Sequence, residues 1–520
     1  MESRFGTRVV RCYENRPKSI YAMLADAIAK WPTAEAVVDG DIRLSYSELG
    51  ACVNRFTLRL ERCGVRPGHR VAVLVENSTR FLCVLYAVAR IGGILVPINT
   101  REKAPGITYL LDHSGASVLV FSPRFGGNVP DLGDALMTIE FDDQELLRLA
   151  NLQGEDLPSG AYETNEDDTA ILLYTSGTTG RPKGAKLSHA GLVMAAMNYV
   201  HLFGMEGADR SGVPAPMSHV TGITGGILPM PLVGGCVLIV PEFKAAAFLK
   251  FAADERMNVV VMVPAMYSLC LLQPEIHSLD LSNWRIGAFG GAPMAGSTIE
   301  ALNDVLPGLK LFNAYGATET LGALVICPSS HALAKRETIG VPIPMADVVI
   351  MNEDGVECEI GEVGELWLSA ASVSAGYWED EAATLREFVG GFWKSGDLGA
   401  KDEDGFIRLL DRKKDMLNRG GFKIYSAEVE QVIMSVPGVL EAAVVGNSCP
   451  VLGERIHAFV TLEDGHDVVD RTLWEACSAN LSDYKVPESW TISYTPLPRN
   501  ANGKLIKMAL RERLQSDPQI

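Results

Sequence analysis

The stretch RVAVLVENSTRFLCVLYAVARIGGILVP, residues 70–97, decides the fold of this chain. It contains an apolar run at 70–75, a helical pattern at 78–91 and, after a glycine pair, a second apolar run that ends at Pro97. A buried strand, a helix and another buried strand in that order predict a β-α-β unit with parallel strands. The same rhythm recurs at 237–263. The sequence therefore predicts an α/β protein whose parallel sheets are covered by helices.

The pattern changes between residues 339 and 369, where short apolar runs alternate with glycine-rich turns, as is typical of antiparallel strands. Further on, the charge run at 411–415 indicates, by composition alone, a solvated turn, and an independent α+β pattern follows it. We expect a large N-terminal domain over residues 1–411, with α/β subdomains and a small β-barrel-like part. A small α+β C-terminal domain is expected over residues 412–520.

Composition excludes several classes of protein. A chain of 520 residues is too long for a single core. Its formal net charge of −18 argues against nucleic-acid partners and anionic membrane surfaces, because both need a basic patch. The ten cysteines include no Cys-x-x-Cys pair, which is typical of free thiols in a reducing compartment. With no apolar leader, and with glycines and prolines interrupting the uncharged run at 220–241, we expect a cytoplasmic protein without an integral membrane segment.

A glycine- and hydroxyl-rich loop is the strongest local feature of the sequence. An apolar strand at 170–173 leads into Tyr174-Thr175-Ser176-Gly177-Thr178-Thr179-Gly180-Arg181-Pro182-Lys183-Gly184. Backbone N–H groups and hydroxyls of such a loop converge on phosphate oxygens, and Lys183 adds a positive charge. It is not a Walker A loop, because Pro182 stands where that motif needs glycine. The loop by itself leaves two alternatives open, a phosphate site and a flexible surface loop.

The loop resembles the phosphate-binding motif of the acyl-adenylate-forming superfamily, which includes acyl-CoA synthetases, peptide-synthetase adenylation domains and beetle luciferases. The likeness covers about residues 20–510. Further segments resemble that family's early structural, adenine and Mg²⁺, ribose, hinge and terminal-lysine motifs, in the family's order: Leu44–Leu49, Asn313–Thr320, Trp393–Leu398, Asp411–Glu430 and Pro498–Lys507. The resemblance to a bacterial-type acyl-CoA synthetase implies an ATP-dependent acid:CoA ligase with Mg²⁺. Such an enzyme forms an acyl-AMP, releases pyrophosphate and transfers the acyl group to coenzyme A.

The resemblance also implies the nucleotide site. Glu319 would coordinate Mg²⁺, a hard cation suited to carboxylate oxygen. Asp397 would accept hydrogen bonds from both ribose hydroxyls, with Arg412 assisting. Hydroxyls of the loop, with Lys183, would hold the β- and γ-phosphates. The full set that would bind ATP or AMP is Thr175, Ser176, Gly177, Thr178, Thr179, Gly180, Lys183, Gly291, Ala292, Pro293, Asn313, Ala314, Tyr315, Gly316, Ala317, Thr318, Asp397, Arg412 and Lys504.

The two reactions of such enzymes share one active site. In the first, Lys504 would bridge the acyl carboxylate and the α-phosphate of ATP. A mobile small domain would then rotate about a hinge near 412–415, at Lys414, and Gly420 and Gly421 would line a tunnel for the thiol of coenzyme A. Glycine is expected there because a Cβ would fill the channel. The predicted catalytic set is Lys504, Glu319, Thr318 and His219.

The segments that build the family's acyl pocket are neutral in this chain. The predicted pocket residues are His219, Thr221, Gly222, Gly290, Gly291 and Gly316. A second carboxylate on the substrate would need an arginine. Because none lies in these segments, we expect an apolar fatty, alicyclic or aromatic acid. His219 has an alternative role as a hydrogen-bonded core residue.

Three positions depart from the family pattern: Ser426 replaces a usual proline, Ser395 a common threonine, and Asn418 the lysine of luciferases. The last weakens a luciferase interpretation. Two other functions stay open, a stand-alone adenylation enzyme that loads a carrier protein and a non-catalytic nucleotide-sensing module. The family also suggests a homodimer and a lysine acetyltransferase that acts on Lys504 to remove its charge.

Overall fold

The computed structural model describes residues 1–4, 8–130, 136–151, 160–175, 181–500 and 505–516. In these ranges the strands are β1 (Glu2–Arg4), β2 (Arg8–Val10), β3 (Glu35–Asp39), β4 (Ile42–Ser45), β5 (Arg70–Leu74), β6 (Ile94–Pro97), β7 (Val118–Phe121), β8 (Met137–Glu140), β9 (Thr169–Thr175), β10 (Lys183–Ser188), β11 (Arg210–Val213), β12 (Cys236–Ile239), β13 (Val259–Met262), β14 (Ile286–Phe289), β15 (Lys310–Ala317), β16 (Gly322–Cys327), β17 (Val341–Pro342), β18 (Ala346–Met351), β19 (Gly364–Ala370), β20 (Phe388–Val389), β21 (Phe392–Lys401), β22 (Ile407–Arg412), β23 (Leu417–Arg419), β24 (Phe422–Ile424), β25 (Val439–Cys449), β26 (Gly453–Leu462) and β27 (Ser489–Ser493).

The α-helices of the described residues are α1 (Ile20–Lys30), α2 (Tyr46–Arg62), α3 (Thr79–Ile91), α4 (Ala104–Ser114), α5 (Asp143–Asn151), α6 (His189–Phe203), α7 (Pro229–Val233), α8 (Ala245–Asp254), α9 (Pro264–Leu271), α10 (Gly296–Val305), α11 (Glu381–Glu387), α12 (Ser426–Met434), α13 (Asp470–Asn480) and α14 (Lys507–Ser516). The chain forms two compact units. The first comprises Met1–Val348 and Leu368–Lys394, and the second comprises Val349–Trp367 and Ser395–Ile520.

The predicted β-α-β unit at 70–97 is confirmed as β5, α3 and β6. The two strands pair in parallel, with Arg70 opposite Ile94. Every residue of α3 is buried, which explains why this helix is apolar around most of its surface, with Arg80 and Arg90 as its only charged residues. It ends at Gly92, whose φ of 75° lies in the left-handed region that glycine adopts without strain. These strands lie in a six-stranded sheet of order β10-β9-β6-β5-β7-β8, parallel except for β10.

The second sheet of the first unit has nine strands in the order β17-β16-β15-β14-β13-β11-β12-β3-β4. Its middle strands are parallel, and antiparallel pairs close both ends. The uncharged run at 220–241 contributes a π-helical turn (Thr221–Ile227), α7 and β12. Among the described residues, no helix has the length and apolar character needed to cross a membrane.

The sheet structure changes in the region where the sequence predicted antiparallel strands. Strands β18 to β22 make up a further five-stranded sheet, which is the small barrel-like part of the predicted fold class. The chain passes between the two units inside β18, β19 and β21. Within the second unit, β22 pairs antiparallel with the end of β21, which sets Asp397 opposite Arg412.

The C-terminal part of the second unit has the predicted α+β pattern. Its sheet has the order β24-β23-β26-β25, and β27 pairs in parallel with β26. One core lies beneath α12 and α13, where Val429, Ile433 and Leu473 pack on the sheet residues Val444 and Ile456. The division of the chain at residues 411 and 412, with a hinge at 412–415, stays a prediction.

Only Lys413 and Lys414 of the charge run at 411–415 lie in the exposed turn that its composition indicated. Asp411 and Arg412 end β22, and Asp415 is only 8% exposed. Arg511 of α14 donates to Asp415 Oδ1 at 3.0 Å and to the carbonyl of Lys414 at 3.3 Å. Because the partner that buries Asp415 comes from a distant helix, the local sequence could not reveal this role.

Candidate active site

The segment that carries Glu319 follows β15 and forms a single 3-10 turn, Thr318–Thr320. The turn is fixed by Thr320, whose Oγ1 accepts a hydrogen bond from the N–H of Ala317 at 2.8 Å and donates to the carbonyl of Gly322 at 2.6 Å. Thr318 and Glu319 are each 8% exposed. The turn therefore places a carboxylate in a largely buried position, where its orientation is set by packing.

Glu319 belongs to a chain of four polar side chains in the first unit, which we call the Glu319 cluster: Glu319, Tyr377, Glu387 and Lys183. The Tyr377 hydroxyl lies 3.0 Å from Glu319 Oε1 and 2.7 Å from Glu387 Oε2. Lys183 Nζ lies 2.7 Å from Glu387 Oε1 and 4.4 Å from the centre of the Tyr377 ring. The structure thus brings together two residues that the sequence predicted, Glu319 and Lys183, through two that it did not.

Burial dominates the electrostatics of the Glu319 cluster. It raises the pKa of Glu319, and the negative charge of Glu387 adds to that effect. The pKa of Tyr377 is raised strongly, by burial first and then by the two carboxylates. Burial opposes ionisation of Glu387 as well, but hydrogen bonds from Lys183 and Tyr377 outweigh it and lower the pKa. Glu387 is therefore the ionised partner of Lys183.

The predicted Mg²⁺ ligand fits that metal by its chemistry. Among the residues that the structure describes, no group of three or more His, Cys, Asp or Glu side chains could hold a metal ion. A cage made only of protein ligands is therefore absent from this part of the chain. Magnesium is commonly held by one or two carboxylates together with substrate phosphates and water. A single oriented carboxylate, Glu319, matches that mode of binding.

The sequence could not have identified Tyr377 and Glu387 as parts of this site. Tyr377 is positioned by a bridge to Ala185 of β10, and Glu387 is the last residue of α11. Behind them, the guanidinium of Arg8 donates to the carbonyls of Val373 and Ser374. Tyr377 and Glu387 are each one of many tyrosines and glutamates in the chain, so only their tertiary contacts distinguish them. Burial lowers the pKa of Arg8 to about 10.

The predicted ribose residues meet within the second unit. The register of β21 and β22 places Asp397 and Arg412 opposite each other, and Arg412 Nε lies 3.3 Å from Asp397 Oδ1. Ser395 accepts from the Asp397 N–H at 3.0 Å and donates to the carbonyl of Leu366 at 2.7 Å. The serine that replaces the family's threonine thus supplies the hydroxyl that fixes this turn.

His219 and Thr221 are also brought together, at the start of the π-helical turn. The Thr221 N–H donates to His219 Nδ1 at 3.3 Å, and the Thr221 hydroxyl lies 3.2 Å from the same nitrogen. A ring nitrogen that accepts a hydrogen bond carries no proton, and burial lowers the pKa of His219. Both observations favour the neutral form of His219, with its proton on Nε2.

Three of the predicted pocket glycines are required by close backbone packing. A Cβ at Gly222 would lie 2.4 Å from the carbonyl oxygen of Pro216. The corresponding distance at Gly290 is 2.3 Å, to the carbonyl oxygen of Ala314, and at Gly316 it is 2.0 Å, to that of Gly322. These contacts explain why glycine stands there. That the same backbone lines an acyl pocket stays a prediction.

The other described nucleotide residues lie on β9 and β15 and in the segment that follows β14. Thr175 ends β9, and Asn313, on β15, donates through its side-chain amide to the carbonyl of Thr338 at 3.0 Å. Gly291, Ala292 and Pro293 form an exposed segment after β14, and Ala314, Tyr315, Gly316 and Ala317 continue β15. Predicted residues that lie outside the described residues are Ser176, Gly177, Thr178, Thr179, Gly180 and Lys504.

The predicted hinge and tunnel residues lie in the second unit. Burial lowers the pKa of Lys414. Gly420 and Gly421 form the turn between β23 and β24, with φ values of 60° and 89°. An added Cβ at Gly421 would meet no atom within 4 Å. The glycine there is therefore explained by its backbone conformation, and a side chain at this position would project into open space.

Comparison with known proteins identifies the family of this chain. The family model for the AMP-binding enzyme matches residues 7–378, and the model for the AMP-binding enzyme C-terminal domain matches residues 428–504. The chain belongs to the AMP-binding enzymes. These matches confirm the predicted acyl-adenylate-forming superfamily, and within it this protein is an AMP-forming acyl-CoA synthetase.

Similar enzymes cover almost the whole length of this acyl-CoA synthetase. A long-chain-fatty-acid–CoA ligase of Mycobacterium tuberculosis is 32% identical, over 95% of this chain and 98% of its own. A feruloyl-CoA synthase of an Amycolatopsis species is 35% identical, over 93% and 96%. The structure of an o-succinylbenzoate coenzyme A synthetase of Bacillus subtilis in complex with ATP and magnesium ion is 28% identical and superposes with a TM-score of 0.86, over 95% of this chain and 99% of that one. These similarities confirm the predicted fold class.

Proposed function

We propose that this acyl-CoA synthetase activates an uncharged apolar or aromatic carboxylic acid with ATP and Mg²⁺ and transfers the acyl group to coenzyme A. The observation that carries the proposal is the Glu319 cluster, in which the predicted metal ligand and the predicted phosphate lysine are linked through Tyr377 and Glu387. Within this cluster, Glu319 supplies an oriented carboxylate and Lys183 a largely buried ammonium, and a metal–triphosphate complex needs both.

Adenylation requires two anions, the substrate carboxylate and the α-phosphate, to meet. In the proposed mechanism Lys183 binds the β- and γ-phosphates, and Lys504 bridges the two reacting groups. Bound Mg²⁺, held by Glu319, would supply positive charge to the phosphates as pyrophosphate leaves. Asp397 accepts from the ribose hydroxyls, and carboxylate-to-hydroxyl hydrogen bonds of this kind fix the orientation of the nucleotide.

Thioester formation is the second proposed step, and residues of the second unit take part in it. We infer that the chain after residue 411 rotates about Lys414, which withdraws Lys504 and brings Gly421 to the acyl-adenylate. The thiol of coenzyme A then attacks the acyl carbon, and AMP leaves. Gly421 suits such a passage because its left-handed backbone favours glycine and the space beside it is open.

The acid is proposed to be uncharged apart from its reacting carboxylate. The other predicted pocket residues are neutral, and burial lowers the pKa of His219, which favours its uncharged form. Long-chain fatty acids and ferulate, after which two of the similar enzymes are named, are carboxylic acids of this class. We place the enzyme in the cytoplasm, a reducing compartment, and its ten cysteines are all free thiols. A homodimer and acetylation of Lys504 remain predictions.

The test is pyrophosphate release across a panel of acids, with and without coenzyme A. The panel comprises short, medium and long fatty acids, benzoates, cinnamates, bulky alicyclic acids and malonate. We expect strong turnover with one apolar or aromatic class, dependent on coenzyme A, and none with malonate. Pyrophosphate exchange without turnover on coenzyme A would point instead to a carrier protein as acceptor. Nucleotide binding without pyrophosphate release from any acid would contradict the ligase.

Substitution of Glu319 by glutamine should impair adenylation while leaving AMP binding intact. Glutamine preserves the shape and can accept the hydrogen bond from Tyr377, but it removes the negative charge that holds the metal. We expect the rate of pyrophosphate release to fall about 100-fold, as is typical when one group that stabilises transition-state charge is lost. Rates measured over a magnesium titration, and AMP affinity measured by calorimetry, check this expectation.

The matched control for that variant is Glu381→Gln, an exposed carboxylate at the start of α11. It should behave as the unaltered enzyme does. If Glu319→Gln retained full activity at every magnesium concentration, the assignment of Glu319 as metal ligand would be wrong.

A further inference from the structure

We propose that Glu387 is an internal counter-anion that occupies Lys183 in place of a nucleotide phosphate and thereby lowers the affinity of the site for ATP and pyrophosphate. The inference rests on the proposed function, in which Lys183 binds the β- and γ-phosphates. The inference adds Glu387 as a residue that controls how strongly Lys183 binds those phosphates.

The contact between the two side chains is close and largely shielded from water. Lys183 Nζ and Glu387 Oε1 are 2.7 Å apart, and the two side chains are 10% and 21% exposed. Tyr377 covers the ammonium group from another direction, with its ring centre 4.4 Å away. The ammonium of Lys183 therefore lies between a carboxylate and the face of an aromatic ring, and both favour its positive charge.

Both oxygens of Glu387 are held in this position. Oε1 also accepts from Arg386 at 2.7 Å, and Oε2 lies 2.7 Å from the hydroxyl of Tyr377. Tyr377 in turn reaches Glu319 at 3.0 Å. The carboxylate is thus oriented toward Lys183 by its neighbours, and it is part of the same cluster as the predicted metal ligand.

A carboxylate and a phosphate offer the same chemistry to an ammonium group, namely anionic oxygens that accept its N–H donors. A nucleotide phosphate that binds Lys183 must therefore compete with Glu387 or share the lysine with it. Sharing places two anions beside one cation in a shielded site, where their repulsion is poorly screened. In either case the negative charge of Glu387 opposes phosphate binding.

The variant that tests this proposal is Glu387→Gln. It keeps the shape of the side chain and an acceptor for Tyr377, but it leaves Lys183 without its counter-charge. We expect ATP and pyrophosphate, each with Mg²⁺, to bind about tenfold more tightly, because removing a partner leaves a shielded charge uncompensated. AMP, which lacks the β- and γ-phosphates, should bind with unchanged affinity. Isothermal titration calorimetry of the full chain with these three ligands measures the effect.

Two further variants serve as controls. Glu381→Gln removes an exposed carboxylate at the start of the same helix, α11, and should leave the three affinities unchanged. Glu387→Asp retains the negative charge and should keep the affinity for ATP near that of the unaltered enzyme. Together they separate the charge of Glu387 from general effects of altering α11.

Weaker binding of ATP to Glu387→Gln would overturn the proposal and would mean that Glu387 positions Lys183 for the phosphates. An equal gain in affinity for AMP would also overturn the proposal, because AMP has no β- and γ-phosphates. A gain in ATP affinity in Glu387→Asp would overturn it as well, because that variant keeps the negative charge. The measurement needs no acid substrate, so its failure is distinct from a failure of the ligase reaction. A thermal unfolding transition at the temperature of the unaltered enzyme verifies that each variant is folded.

Discussion

Replacement of Lys504 by alanine should abolish the first half-reaction and spare the second. In the proposed mechanism this lysine is the cation between the acyl carboxylate and the α-phosphate, where negative charge accumulates. Loss of one such group typically costs about 10²–10³ in rate. We therefore expect pyrophosphate release to fall by about that factor in Lys504→Ala. Conversion of a supplied acyl-adenylate to the thioester should proceed within about twofold of the normal rate, because no group needs that cation once the adenylate exists.

The two half-reactions must be measured separately, the first as pyrophosphate exchange and the second as thioester formation from synthetic acyl-adenylate and coenzyme A. Lys250→Ala is a suitable control, because Lys250 is 70% exposed in a surface pair with Asp254 and should affect neither rate. An equal fall in the rates of both half-reactions in Lys504→Ala would refute the proposal that Lys504 acts only in adenylation.

Substitution of Gly421 by leucine should have the opposite effect. A Cβ at this position meets no atom within 4 Å, so a leucine side chain would extend into the space proposed for the thiol of coenzyme A. The φ of 89° adds backbone strain of about 1–2 kcal/mol. We expect thioester formation to fall about 10³-fold, since displacement of a reacting group from its attack position is costly. Adenylation should change little.

The control for backbone strain is Gly405→Leu, because Gly405 lies in the same unit, has a φ of 84° and also has open space beside it. It carries the same conformational cost without occupying the proposed passage. Normal overall turnover in Gly421→Leu, or an equal loss of turnover in Gly405→Leu, would contradict the tunnel assignment.

Much of this protein could be predicted from local sequence. In the β-α-β unit at 70–97, the strands and the helix begin and end within two residues of the expected positions. Apolar residues recur with a different spacing in strands and in helices, and glycine marks the end of the helix, so local sequence was sufficient here. Glu319, one of 64 acidic residues, stood out only through its Tyr-Gly-x-Thr-Glu context, and the structure places it in a largely buried turn.

Tertiary structure alone decided which charges meet. Lys183 and Glu387 are 204 residues apart, and their contact depends on how α11 packs beside β10. Asp415 is buried by Arg511 from α14, although its own neighbours indicated a solvated turn. Sequence periodicity specifies which side of an element is apolar, but an ion pair depends on the position of a second element. The sequence by itself therefore determined the elements of the chain, its family and its main candidate residues, whereas folding determined which counter-charges lie beside those residues.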